Sequence, residues 1–184
     1  MRSYYPLIHS LRKLLFLPLF MELFCLSAHA NALLDRQESI DALFDAPCAA
    51  YQVPKVLALA IARQESGYHP WIINIAGRDV RPRSMEEALR VATWAYQNGK
   101  SFDVGIMQVN VYWIKKYRWP LDQVLDPANN VKIGVWILAN EIRRHGLNWK
   151  AVAYYHTPLH RNPERGRAYA LAVVSHVKKI MGGK

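Results

Sequence analysis

Apolar residues fall at helical rather than alternating spacing over most of this chain. Val131, Val135, Leu138 and Ile142 stand at i, i+4, i+7 and i+11, one stripe of an amphipathic helix. Asp126 and Pro127 supply a cap and a first-turn residue before it, and Gly146 a stop after it. Ser84 with Glu87 three residues on forms a capping-box pattern, which opens a helix through Ala88, Leu89, Ala92, Trp94 and Tyr96 to Asn98 and Gly99. Ile40, Leu43, Phe44 and Pro47 mark a helix over 39–50, and Pro54 opens another through Ser66, stopped by Gly67. Further helices are predicted from Gly105 or Met107 to about Tyr117, from Trp149 to Tyr155, and from Pro163 to about Met181, where Tyr169, Val173, His176 and Ile180 keep helical spacing. The stretch from Tyr68 to Ser84 holds His69-Pro70, Ala76-Gly77 and Arg81-Pro82, and reads as loop with a short β-ribbon around 72–80. The chain is thus expected to be mainly α-helical, with no internal repeat and no glycine-rich phosphate loop.

The first thirty residues follow a different pattern. Arg2, Arg12 and Lys13 precede an apolar run interrupted by Pro18 and Glu22, and Ala28, His29 and Ala30 give a small-x-small cleavage site. The run is shorter than the roughly 20 residues a bilayer crossing needs, so residues 1–30 are expected to be a signal peptide cleaved after Ala30. Bulky Phe24 argues against acylation of Cys25. Residues 31–184 would then form one domain, located in the periplasm and with no stable membrane span.

Composition narrows the partners. With 184 residues, 52% of them hydrophobic and 21% charged, the chain can bury one sizeable core and is neither disordered nor low-complexity. Its net charge of +10 falls to +8 without the leader, which carries three basic residues and one acidic one. An anionic partner is expected: nucleic acid, a membrane face or an acidic polymer. Nucleic acid is the weakest of these, since there is an export signal, no basic run, and only scattered tryptophans. Cys48 is the single cysteine past the leader and reads as a small buried hydrophobe. No HExxH and no paired Cys/His spacing occurs, so neither a metal nor a cofactor is expected.

Glu65 shares a helix face with Leu57 and Ile61, which turns a carboxyl group toward the core in the last turn of its helix. Partial burial and the negative end of the helix dipole both disfavour ionisation, as a general acid requires. A solvated helix-end glutamate is the alternative that this residue alone leaves open.

The segments Gln64-Glu-Ser-Gly-Tyr-His-Pro70, Ser101-Phe-Asp-Val-Gly-Ile-Met-Gln-Val-Asn110 and Ala151-Val-Ala-Tyr-Tyr-His156, in this order with Tyr169 in the last helix, resemble the lytic transglycosylases of the lysozyme superfamily. The resemblance covers about residues 40 to 180. The stretch Arg81 to Ala88 and the run Asp103 to Asn110 look most like the small enzymes that accompany conjugation and type IV secretion. The resemblance implies a lysozyme-like helical domain of the SLT type, with Glu65 as acid and base. It also places Ser66, Gly105, Met107, Gln108 and Asn110 in a sugar-binding wall, with Tyr155, His156 and Tyr169 lining the cleft. Where the family commonly has Tyr-Asn-Ala-Gly, this chain has Tyr155-His156-Thr157-Pro158. Met107 and either tyrosine fit plain core as well, and Gly105 fits a simple turn.

The implied substrate is the peptidoglycan glycan strand, cleaved between MurNAc and GlcNAc to leave 1,6-anhydromuramyl ends, with secretion components as further partners. Asp103 keeps two alternatives open. Ser-x-Asp-x-Gly-Ile-x-Gln-x-Asn also resembles the segment that supplies the second carboxylate of animal lysozymes, which would make the protein a muramidase. Asp103 could equally cap the helix that follows. A non-catalytic glycan-binding module is the remaining reading, and Glu65 in its expected context speaks against it.

Overall fold

The computed structural model describes residues 40–182, so the leader and its cleavage site lie outside the described residues. From Asp41 onward the chain forms a single unit, mainly helical around a small antiparallel sheet. The elements, in order, are α1 (Asp45–Tyr51), α2 (Lys55–Ser66), β1 (Ile73–Ile75), β2 (Arg78–Val80), α3 (Met85–Gln97), β3 (Phe102–Val104), β4 (Val109–Asn110), α4 (Val111–Tyr117), α5 (Leu121–Leu125), α6 (Pro127–His145), α7 (Trp149–His156) and α8 (Pro163–Gly182).

Capping chemistry set several boundaries as expected. Ser84 Oγ accepts the amide of Glu87 at 3.2 Å, and the Glu87 carboxylate reaches back to the Arg83 amide at 2.8 Å, one residue earlier than a standard capping box. Asp126 caps α6 through the Asn129 amide at 2.9 Å, with Pro127 at its first position. Gly67 ends α2 in the left-handed region at φ +59°. Along α6, Val131, Val135 and Leu138 are fully buried.

Two predicted elements are corrected, and one is added. The helix expected over 39–50 is interrupted by a turn at Leu43 and Phe44. Pro47 accounts for this, because its ring would meet the Leu43 carbonyl in a continuous helix. The helix expected from Gly105 or Met107 starts only at Val111, capped by Asn110, whose side chain accepts the Tyr112 amide at 2.8 Å. Before it, Gly105 (φ +81°) and Gln108 (φ +46°) lie in the left-handed region, which no helix can include. The short helix α5 was not foreseen.

The ribbon expected at 72–80 is half of a four-stranded sheet with order β2-β1-β3-β4. Its hairpin turns at Ala76 and Gly77, both at positive φ, as a two-residue turn that matches strand twist demands. The register pairs Asp79 with Asn74, Asn74 with Asp103, and Asp103 with Asn110. These four residues form one row across the sheet, while Ile73, Val104 and Val109 in the neighbouring row are buried. Alternation along each strand therefore gives the sheet one core face and one polar face.

Helix α2, which carries Glu65, packs on α8, and α8 in turn on α7. Asn130 of α6 joins sheet and helices. Fully buried, it donates to the carbonyls of Val104 and Val124, both at 2.9 Å, and accepts the Met107 amide at 2.8 Å. Cys48 is buried, and that burial pushes its thiol up to about 11. No helix among the described residues is long and apolar enough to cross a membrane.

Candidate active site

The polar row of the sheet forms one wall of a cleft of about 1150 Å³. Glu65 enters it from the end of α2, Gln108 from the turn before β4, and Tyr112 and Trp113 from the start of α4. The other wall comes from the end of α6 (Glu141, Arg144, His145), from α7 (Tyr154, Tyr155, His156), and from the residues leading into α8.

Glu65 is the chemical centre of this cleft. Tyr169 of α8 donates its hydroxyl to Glu65 Oε1 at 2.6 Å, and no other hydrogen bond holds the carboxyl among the described residues. Burial pushes Glu65 up from 4.5 to about 8; the Tyr169 bond opposes the rise and the charge of Asp103 adds to it. At neutral pH the group is therefore mainly a carboxylic acid, able to hand over a proton. Burial and the nearby Glu65 charge raise Tyr155 and Tyr169 well above their ordinary values, so both stay hydrogen-bond donors while Glu65 titrates.

Asp103 occupies the middle of the polar row and accepts Asn110 Nδ2 at 2.7 Å. Burial raises it above its usual value, while the Asn110 bond and Arg165 hold it down. Asp103 does not cap α4; Asn110 does. Gln108 donates through Nε2 to the carbonyls of Ile72 (3.1 Å) and Gly105 (2.9 Å), which leaves its Oε1 for a ligand. His156 lies flat on the Tyr169 ring, centroids 4.4 Å apart and planes within 15°, with Nδ1 against the Thr157 hydroxyl at 2.7 Å. Its pKa is lowered by burial and by Arg165.

Of the residues singled out from the sequence, Glu65, Asp103, Gln108, Asn110, Tyr155 and His156 meet on the cleft, and Tyr169 reaches it through Glu65. Three do not reach its surface. Ser66 is buried and donates its hydroxyl to the Ala62 carbonyl at 3.1 Å. Met107 is fully buried; its side chain packs on Gly134, and its carbonyl accepts the Tyr155 hydroxyl at 2.7 Å. Gly105 faces Asn130, where a Cβ would stand 2.3 Å from Nδ2, so its lack of a side chain serves that packing. Sequence reasoning missed Asn74 and Asp79, which pair with each other at 2.8 Å. It also missed Glu141, which takes Arg144 at 3.1 Å and His145 at 3.5 Å. Nothing local marks either group, since the strands that carry the first are only three residues long. No group of three or more His, Cys, Asp or Glu among the described residues is placed to hold a metal ion.

A helical domain whose cleft holds one protonated glutamate beside a small sheet matches a known class: the chain belongs to the transglycosylase SLT domain family, which covers residues 42–170. Among individual proteins, it is 40% identical over 99 residues to the type IV secretion system protein virB1 of Brucella abortus (strain 2308), a match covering 53% of this chain and 41% of that protein. The virB1 protein of Brucella suis biovar 1 (strain 1330) matches to the same extent. The invasion protein IagB of Salmonella typhimurium (strain SL1344) is 27% identical over 104 residues, covering 53% of this chain and 64% of IagB. The chain therefore spans about two fifths of the length of the virB1 relatives it matches. No solved structure matches it significantly.

Proposed function

We propose that the protein is a peptidoglycan lytic transglycosylase with Glu65 as its acid and base. The carrying observation is the placement of Glu65: protonated near neutral pH, held through one oxygen by Tyr169, and exposed to the cleft through the rest of the carboxyl. In the proposed reaction Glu65 gives its proton to the glycosidic oxygen as the bond from muramyl C1 breaks. The resulting carboxylate then takes the proton of the muramyl C6 hydroxyl, whose oxygen closes onto C1. One C–O bond breaks, one forms, and no water is consumed. Tyr169 steadies the carboxylate stage, since its hydroxyl bond favours the charged form.

A second reading, hydrolysis by Glu65 with Asp103, is favoured by one observation: both carboxyls sit in the same cleft, close enough for Asp103 to raise Glu65. Mass analysis of murein digests separates the two. Transglycosylation leaves 1,6-anhydromuramyl ends, and Asp103→Asn keeps substantial activity. Reducing ends from the unmutated protein would overturn the assignment. Glu65→Gln should remove cleavage on either reading, a loss of at least about 10²-fold, and full activity in that variant would overturn the whole site.

The basic charge, the leader pattern and the virB1 and IagB relatives support a place of action in the periplasm, where the protein opens murein locally for an envelope-spanning secretion or conjugation machine. N-terminal sequencing should find Asn31, and deletion should lower substrate transfer with normal growth.

A further inference from the structure

The two walls of the cleft differ in charge. The sheet wall carries Asp79 and Asp103 among amides, whereas the facing wall carries Arg144, Arg161 and Arg165. Arg144 is matched by Glu141 at 3.1 Å. No ion pair among the described residues involves Arg161 or Arg165, although Glu164 stands between them in sequence. Arg165 is moreover in the first turn of the 20-residue helix α8, its amide accepted by the Asn162 side chain at 2.9 Å. A cation there faces the positive end of the helix dipole, so local energetics do not explain its presence. Its field reaches across the cleft, where it lowers the pKa of both Asp103 and His156. Two guanidinium groups thus overlook the substrate cleft without a direct ion-pair partner among the described residues, each a planar fork of donors suited to a carboxylate.

We infer that Arg161 and Arg165 recognise a carboxylate carried by the muramyl residue, so that the cleft selects charged over neutral glycan. This rests on murein being the substrate. The sugar backbone of murein is neutral, and its carboxylates are those of the peptide stem or, where the stem has been removed, of the 3-O-lactyl group. The basic wall orients whichever is present away from Asp103 and Asp79, which fixes the direction in which the strand lies over Glu65.

The test uses binding without turnover. The full chain carrying Glu65→Gln is co-sedimented with native sacculi and with sacculi whose carboxyl groups have been converted to methylamides. Soluble glycan strands stripped of stems by an amidase serve as competitors. Adding Arg161→Ala and Arg165→Ala should weaken binding to native sacculi about 3- to 10-fold, the range for two solvent-exposed charge contacts. Amidation should weaken the parent by the same factor and erase the difference between parent and variant. Lys178→Ala with Lys179→Ala removes the same charge from α8 outside the cleft and should change binding by less than about 2-fold. If stripped strands still distinguish parent from variant, the lactyl group is recognised; if they do not, the stem is.

The inference is overturned if the arginine variant binds native sacculi like its parent, if the difference survives amidation, or if the lysine variant loses as much. Product analysis of the unmutated enzyme is independent of these outcomes. Reducing ends there would remove the transglycosylase reading and leave the binding result standing.

Discussion

Replacing Glu65 by Gln should stabilise the protein while it destroys activity, and the gain should depend on pH in a defined direction. Folding displaces the Glu65 carboxyl from 4.5 to about 8, chiefly through burial. Below about pH 4.5 the group is protonated whether the chain is folded or unfolded, and it contributes no pH dependence. Between pH 4.5 and 8 the unfolded chain gives up this proton and the folded chain keeps it, so wild-type stability falls as pH rises. Above pH 8 the penalty is constant. At about 1.36 kcal/mol per unit of displacement the ceiling is about 5 kcal/mol. The carboxyl opens onto the cleft, and solvent screening there lowers the expected penalty to roughly 2–3 kcal/mol. Gln fills the same space, can still accept the Tyr169 hydroxyl, and carries no such penalty. Thermal melts followed by circular dichroism at pH 4, 6 and 8 should therefore show Glu65→Gln gaining on wild type with each step, to roughly 5–10 °C at pH 8. An advantage that stays flat or shrinks between pH 4 and 8 would refute the claim that burial holds this carboxyl protonated.

Three further outcomes are expected. Tyr169→Phe removes a bond that favours the Glu65 carboxylate, so Glu65 should rise further and the alkaline limb of the kcat/KM profile on murein should move up by about 1–2 units, from the 1.5–3 kcal/mol of a bond to a charged acceptor. Asn130→Ala removes three buried hydrogen bonds, to the Val104 and Val124 carbonyls and from the Met107 amide, and should cost about 3–4 kcal/mol by urea midpoint at unchanged slope. Gly105→Ala should destabilise by about 2 kcal/mol more than Gly77→Ala, because both positions have positive φ but only Gly105 would drive a Cβ into a buried side chain.

Local chemistry made most of the fold legible before any coordinates. Ser84, Asp126 with Pro127, and Gly67 act on their immediate neighbours, and the helix ends they mark stand where they were expected. The coreward placement of Glu65 followed from helical spacing to Leu57 and Ile61 alone. The stretch 105–110 was misread because its apolar residues suit a helix, while what shapes it lies far away in sequence. Met107 is held by Asn130 and Tyr155, and Gly105 donates its amide to the Ile72 carbonyl at 2.9 Å. Strands of two or three residues are too short to display alternation, which hid β3 and β4 and with them the row from Asp79 to Asn110. Pro47 could have been read correctly, as its clash with the residue four before it is a local rule. The basic wall depends on the way α6, α7 and the approach to α8 come together, which no spacing reveals.

The turn at 105–108 has a consequence for anyone wishing to redesign the cleft. Its backbone is committed inward: Gly105 to Ile72, Met107 to Asn130 on one side and to Tyr155 on the other, and the Gln108 amide to the Gly105 carbonyl at 3.1 Å. Of this turn only the Gln108 side chain lines the cleft, and half of that amide is already engaged. Redesign of this turn is therefore confined to a single side chain at φ +46°, where Asn and Gly fit readily and β-branched residues do not. Shuffling the loop between relatives would change the scaffold before it changed the specificity. Diversity is better sought on the facing wall, where His160, Arg161 and Arg165 are exposed side chains.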